Sequence, residues 1–325
     1  MTTIREIAKF AGVSVATVSR VLNNHPYVSQ EKKAAVSHAV EKLNYSRNLK
    51  AIQLSNKHSN LVGIILPKID LPYFSKIVEG LAEEARNLHL QLVLIQSNYD
   101  IEKEREALEL LRGHLMDGII FCSRAISLSE VRAYQEFGPI ILLEDTDQDD
   151  FYSISIPHDH AFTYGLDYLY SKGHKKIAIA LNRIDGTNSK KRIQAYESMM
   201  QRIKEPIRTE WIFDQCLSIE DGASLMDKYM ALNDKPTAFL TTNDQIAAGV
   251  LLAADKHQLK IPQDLAVLSF DNQEISKVMD LSTISIPIKE MGQSAMRALF
   301  NIRENSLHAS KKRELPFKLI ERLTV

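Results

Sequence analysis

Val15, Ala16, Ser19, Arg20 and Asn23 recur at helical spacing within "SVATVSRVLN" (residues 14–23). Their chemistry suits the major groove of DNA. Arg20 can pair both arms of its guanidinium with one guanine, and Val15 and Ala16 suit thymine methyls. A second set lies scattered: Tyr73 and Phe74, Asn98, Asn243 and Asp271 come after apolar runs, and Arg192 opens the helical stretch after another. An aromatic face can stack on a sugar or base ring. Arg and Asp give directional hydrogen bonds that recognise vicinal hydroxyls. Singly, each is as ordinary as any polar residue at a strand end; only the set points to a ligand cleft.

Other chemistry has weaker grounds. His158 and His160 flank Asp159 like a metal pair, but no third ligand cluster accompanies them, and no metal is expected. The chain has no glycine-rich phosphate loop, no nucleophile elbow and no HExxH. No catalytic residue, no cofactor and no enzymatic activity is therefore expected. Cys122 and Cys216 lie far apart, in neither a metal nor a disulfide spacing, which suits a reducing cytoplasm. There is no secretory signal and no bilayer-spanning apolar run, so no membrane partner is expected. Trp211 suits either the cleft or a core position. "SKKRE" (310–314) reads as a solvated loop.

The groove-facing residues need a helix to carry them. Thr3 and Glu6 make a capping box ahead of the stripe Ile4, Ile7, Ala8 and Ala11. Gly12 suits a positive φ after that helix, and Ser14 can cap a second one from Val15 to about Leu22. Ser29 can cap a third, Gln30 to Leu43, that buries Val36, Val40 and Leu43. Ala8 permits close helix packing, Gly12 the tight turn, and Val18 plugs the small core. That is helix-turn-helix geometry, with the second helix free to enter a groove.

The scattered set needs a different scaffold. From Leu61, short apolar runs alternate with amphipathic stretches. Strands are expected at Leu61–Leu66, Gln91–Ile95, Gly118–Phe121, Ile140–Leu143, Ile177–Ala180, Ala238–Thr241 and Leu265–Phe270. Helices are expected at Phe74–Leu88, Ile101–Arg112, Ala161–Lys172, Lys190–Ile203 and Gln245–His257. Alternation of this kind implies parallel sheets covered by helices, and a split near Ile156 gives two similar halves. Ligands of such sheets bind outside the carboxyl ends of the strands, where the second set lies.

Charge separates the two parts. Residues 1–59 carry nine Lys and Arg against three Glu, a net +6, so the rest holds −7 of the total −1. A basic head on an acidic body suggests a polyanion partner for the head.

"TIREIAKFAGVSVATVSRVLNNHPYVS" resembles the DNA-binding head of LacI/GalR regulators. The resemblance continues through "VGIILP", "DGIIF", "SKGHKKIAIA", "PTAFLTTND" and "LAVLSFDN". The head and "AYQEFGPIILLEDTD" are most similar to catabolite control protein B-like members. The resemblance implies a small all-α helix-turn-helix head (1–46), a hinge (47–59) and an α/β body (60–325). The body would have two Rossmann-like lobes of the periplasmic-binding-protein-like type I fold, lobe one about 60–156 and 288–318, lobe two about 157–287. Thr3, Ser14, Thr17 and Tyr27 join the expected DNA contacts. Phe74, Arg192, Asn243 and Asp271 match residues that hold the effector in the family, and Tyr73 and Asn98 are added from their positions. In "YSRNLKAIQLS" (45–55), Leu54 matches a minor-groove wedge, with Asn48 at the start of a hinge helix and Ala51 at its close contact. Arg47 stands where the family usually has Pro.

Several cleft positions depart from the pattern. Lys68 replaces a common Asp, Asp145 a frequent Arg, Pro157 and His158 a usual Asp-Asn pair, and Ser269 a Gly. Lys68 with Arg192 would favour an anionic ligand. The expected function is thus a transcriptional regulator, read as a repressor. It would bind a pseudo-palindromic double-stranded operator as a homodimer and answer to a sugar or sugar phosphate. A phosphorylated phosphocarrier protein is the alternative modulator. A carbohydrate enzyme lacks its paired carboxylates, and a transport protein lacks its signal.

Overall fold

A computed structural model describes residues 2–22, 25–45, 58–305 and 311–325, in two compact units, Met1–Ser59 and Asn60–Val325. In the first unit, helices α1 (Ile4–Ala11), α2 (Val15–Leu22) and α3 (Gln30–Lys42) enclose Ile7, Ala8, Val18, Val36 and Ala39. Thr3 and Glu6 form the capping box, and Gly12 ends α1 at φ 63, where a Cβ would be strained. The Ser14 hydroxyl accepts from the Thr17 amide at 3.1 Å, so it caps α2. Ser29 sits at the start of α3, but its side chain makes no capping bond. Val40 and Leu43 are only half-buried; Ala39 takes the inner position instead.

The second unit is built on two six-stranded sheets. The first comprises β1 (Leu61–Leu66), β2 (Gln91–Gln96), β3 (Gly118–Phe121), β4 (Ile140–Leu142), β5 (Tyr152–Ser155) and β11 (Lys312–Glu314), in the order β11-β5-β4-β3-β1-β2. The second comprises β6 (Ile177–Ala180), β7 (Ile212–Phe213), β8 (Ala238–Thr241), β9 (Ala266–Asp271), β10 (Thr283–Ser285) and β12 (Lys318–Ile320), in the order β12-β10-β9-β8-β6-β7. All described pairings are parallel except β12 on β10. Central strands such as β3 and β8 are buried throughout, so they read as unbroken apolar runs.

The chain crosses between sheets after β5, after β10 and after β11. Lys318–Ile320 therefore belongs to the second sheet, although residues up to 318 were expected in lobe one. Lys312–Glu314, expected in a solvated loop, is an edge strand pairing with β5. Its polar residues carry no apolar signal, because the ladder and not burial holds an edge. The helices that matter for the site are α4 (Pro72–Asn87), α5 (Ile101–Arg112), α6 (Leu128–Arg132), α7 (His158–Ser171) and α8 (Thr187–Ile203). They are followed by α9 (Ile219–Ala231), α10 (Asp244–Lys256), α11 (Glu274–Val278) and α12 (Ile288–Arg303). No described helix is long and apolar enough to cross a membrane.

Candidate DNA-reading face and effector cleft

On the head, α2 turns Val18 into the core and leaves Val15, Ala16 and Arg20 exposed, Val15 at 43%. Ser19 and Thr17 are half-buried beside them. Tyr27 is 87% exposed, a large aromatic with no core role. Thr3 and Ser14 are exposed, and both hydroxyls already serve as helix caps. The face thus presents one long donor and two small apolar groups on a rigid helix. Asn23, Arg47, Asn48, Ala51 and Leu54 lie outside the described residues.

In the body, both sheets share the order 2-1-3-4-5 in their own strands, so each has a switch point between its first and third strands. Connections leave those strands to opposite faces, which opens a crevice at the carboxyl ends. The loops after β1, β3 and β4 meet those after β6, β8 and β9 around a cavity of about 150 Å³. Tyr73, Phe74, Tyr99 and Arg124 line one side; Asn188, Arg192, Thr242 and Asp271 line the other.

Arg192 is the centre of its polarity. The residue is 9% exposed, and its guanidinium lies 5.3 Å from the Phe270 ring centroid. Its Nη2 donates to Nδ1 of His158 at 3.1 Å. Burial, with the charges of Arg192 and Lys191, holds His158 well below the usual imidazole range, so it is neutral and can accept. Burial also brings Arg192 down to about 10, against the opposing pull of Asp271. Asp271 is pushed up to about 8 by burial and by the nearby Asp244, with Arg192 acting the other way.

Asp271 is itself held in an unusual backbone. It has φ 101 and is followed by Asn272 at φ 56, both in the left-handed region. Asp244 pins the turn: its carboxylate accepts from the Gln273 amide at 2.6 Å, from Thr283 Oγ1 at 2.8 Å and from the Ser269 hydroxyl. Burial raises Asp244 to about 6 despite these bonds. Gln273 then donates to Asp271 Oδ2 at 2.9 Å and accepts from Gln245 at 3.1 Å. Ser269, where the resemblance leads one to expect Gly, is thus a working member of the clamp.

Three buried atoms of the cavity wall have no hydrogen-bond partner among the described residues: Arg192 Nε, Asn188 Oδ1 and Thr242 Oγ1. An unpaired buried polar atom costs about 1–3 kcal/mol, and native structures hold few of them. A donor, an acceptor and a hydroxyl thus belong to residues that line one cavity.

Tyr73, Phe74, Arg192, Asn243 and Asp271 all line this cavity. Asn243 is partly committed elsewhere. Its Oδ1 caps α10 at 2.9 Å from the Ile246 amide, and its Nδ2 donates to Leu217 O at 3.2 Å. Asn98 is not in the wall. A left-handed turn at Asn98 and Tyr99, φ 52 and 62, leaves Asn98 exposed, and Tyr99 lines the cavity in its place. Lys68 is exposed and outside the wall. Asp221, although burial opposes ionisation, is held low by Ser218 and Leu217 and by the charge of Lys68. Trp211 is 2% exposed in the lobe-two core, with its indole donating to Asp234 O at 3.1 Å.

His158, set aside as half of a metal-like pair, is a cavity residue; among the described residues no cluster suits a metal ion. The one signal in the sequence was the replacement of the usual Asp-Asn pair by Pro157 and His158. Asn188 and Thr242 are polar residues on a helix start and a strand end, and nothing in their spacing marks them.

Residues 3–48 match the family model described as bacterial regulatory proteins, lacI family. Residues 59–321 match that of periplasmic binding proteins and sugar binding domain of LacI family. The chain is 44% identical over 327 residues, all of both chains, to an uncharacterized HTH-type transcriptional regulator, YkvZ, of Bacillus subtilis (strain 168). It is 34% identical to catabolite control protein B of the same organism, over 91% of this chain and 93% of that one. A crystal structure of the Lac repressor dimer bound to operator and an anti-inducer superposes with a TM-score of 0.86, at 26% identity, over 99% of this chain and 98% of the other. The chain therefore belongs to the LacI family of DNA-binding transcriptional regulators, with a helix-turn-helix head and a sugar-binding-type body, and is not an enzyme.

Proposed function

We propose that the protein is a repressor that binds a pseudo-palindromic operator as a homodimer and answers to a neutral, hydroxyl-rich ring in the body's cleft. Two-fold symmetry in a protein matches two DNA half-sites, and the exposed Val15, Ala16 and Arg20 supply the base-reading groups. Thr3, Ser14, Thr17, Ser19 and Tyr27 complete the described part of that face. The trio Arg192 Nε, Asn188 Oδ1 and Thr242 Oγ1 carries the reading of the effector. A sugar hydroxyl donates and accepts at once, so vicinal hydroxyls satisfy all three atoms. The phosphate group itself, when fully ionised, has no donor for Asn188 Oδ1, so that atom calls for a hydroxyl. Of the cavity's cations, Arg124 pairs with Glu144, Arg183 stacks on Tyr99, and Arg192 bonds His158 through Nη2 while its Nε stays open to the ligand. Tyr73 and Phe74, packed edge to face at 5.1 Å, offer the ring an aromatic wall.

Calorimetry with matched pairs of neutral sugars and their phosphates tests this reading. Heat from a neutral member, with its phosphate at least tenfold weaker, is expected; equal affinity for the two contradicts it. The resemblance to catabolite-control regulators implies an alternative modulator, a phosphorylated phosphocarrier protein. A pull-down with that carrier that recovers none of the protein removes this second reading.

A further inference from the structure

Two contacts join the lobes across the mouth of the cleft. Asp145 follows β4 of the first sheet, and its Oδ2 accepts from Nζ of Lys191, on α8 beside the second sheet. Their side chains are only 25% and 27% exposed, so water screens the pair less than an open surface pair. Nearby, the Arg183 guanidinium, after β6, lies 3.8 Å from the ring centroid of Tyr99, after β2. Tyr99 and Arg183 line the cavity; Asp145 and Lys191 do not.

We propose that Asp145 and Lys191, with the Tyr99–Arg183 stack, form a latch that holds the two lobes closed and so sets how firmly the cavity retains what it binds. The charges around Lys191 give the latch its leverage. Asp145 and Asp147 approach it from the first lobe and Asp159 from its own. Without that cation, acids of the two lobes face one another and repel. Asp145 and Lys191 are positioning residues: they act on the cleft through closure, without touching the ligand.

Hydrogen exchange on the effector-free full chain tests the latch. Asp145→Lys and Lys191→Asp each put like charges across the mouth. Each is expected to speed exchange at least threefold in segments 122–124 and 182–189, which contribute to the cavity wall from the two lobes. The double variant Asp145→Lys, Lys191→Asp restores the pair in reverse and is expected to return to the parental rate. Lys191→Arg, which keeps the charge, is expected to exchange like the parent. Parental rates in both single variants overturn the latch, as does a double variant as fast as the singles. Should the single variants fail to fold cooperatively on heating, Asp145→Asn and Lys191→Met replace them, with the same threefold expectation and the same contrary result. No effector is added, so the outcome is independent of the neutral-ring reading.

Discussion

Asp271 is a carboxyl that the fold both strains and desolvates. Its φ of 101 is kept by the bonds that Asp244 makes to the turn. Because burial and Asp244 push it up to about 8 from 3.8, the folded chain keeps a proton that the unfolded chain releases. That contribution to stability is fully present below about pH 4 and is lost as pH rises through about 8. The loss is at most about 1.4 kcal/mol per pH unit. Asp271→Asn is expected to flatten this part of the stability curve, measured by denaturant unfolding of the effector-free protein between pH 5 and 8; an unchanged slope contradicts the assignment. Arg20→Ala is expected to cost about 1–3 kcal/mol in operator binding and to relax preference at one guanine. Binding to operators changed at single positions reads both effects. Asp271 was legible in the sequence because it is a charge directly after an apolar run, and Arg192 because it is a charge in the first turn of an expected helix. His158 was not, because its role rests on a buried contact to a residue 34 positions away.

Each lobe is stapled by one pair of helices that cross at glycines. A Cβ on Gly80 of α4 would lie 2.1 Å from Lys289 O, and one on Gly292 of α12 would lie 2.3 Å from Ile77 O. The second lobe repeats the device. There a Cβ on Gly222 of α9 would meet Ile246 O at 2.1 Å, and one on Gly249 of α10 would meet Ile219 O at 2.0 Å. Backbone cannot yield as a side-chain tip can, so Gly249→Ala is expected to destabilise the body by about 1–3 kcal/mol or more. A guanidinium titration measures it, and a loss under about 0.5 kcal/mol contradicts the close crossing. At this scale the sequence was legible at the wholly buried strands and at several long helices, whereas Ile219–Ala231 and Ile288–Arg303 were not among the helices expected. The strands around β1, β3, β6 and β8 fall where their apolar runs lie, as do α1, α2 and α5. Tyr152–Ser155, Ile212–Phe213, Thr283–Ser285 and Lys312–Glu314 escaped because two to four residues carry no period. Such strands form only because a neighbouring ladder already exists.

The whole chain divides its labour by charge and by surface. The +6 of residues 1–59 meets a polyanion, while the acidic remainder encloses a small polar cavity. Phosphate contacts by the head are expected to make DNA affinity fall steeply with salt. Lys32→Ala and Lys33→Ala are expected to weaken binding evenly across sequences and to lower the salt slope by about one unit each. The two functions are coupled only if the occupied and empty cleft differ in their effect on the DNA-bound state. Such coupling is commonly worth about 1–3 kcal/mol, or roughly 5–150-fold in affinity. The most direct measurement is a fluorescence-anisotropy titration of the full chain on the DNA upstream of its own gene, across a panel of neutral sugars and their phosphates. Sequence-specific binding, with a Kd that moves at least fivefold with one neutral sugar and not with its phosphate, is the predicted result. Equal affinity for unrelated DNA, or a shift produced equally by the phosphate, would contradict the account.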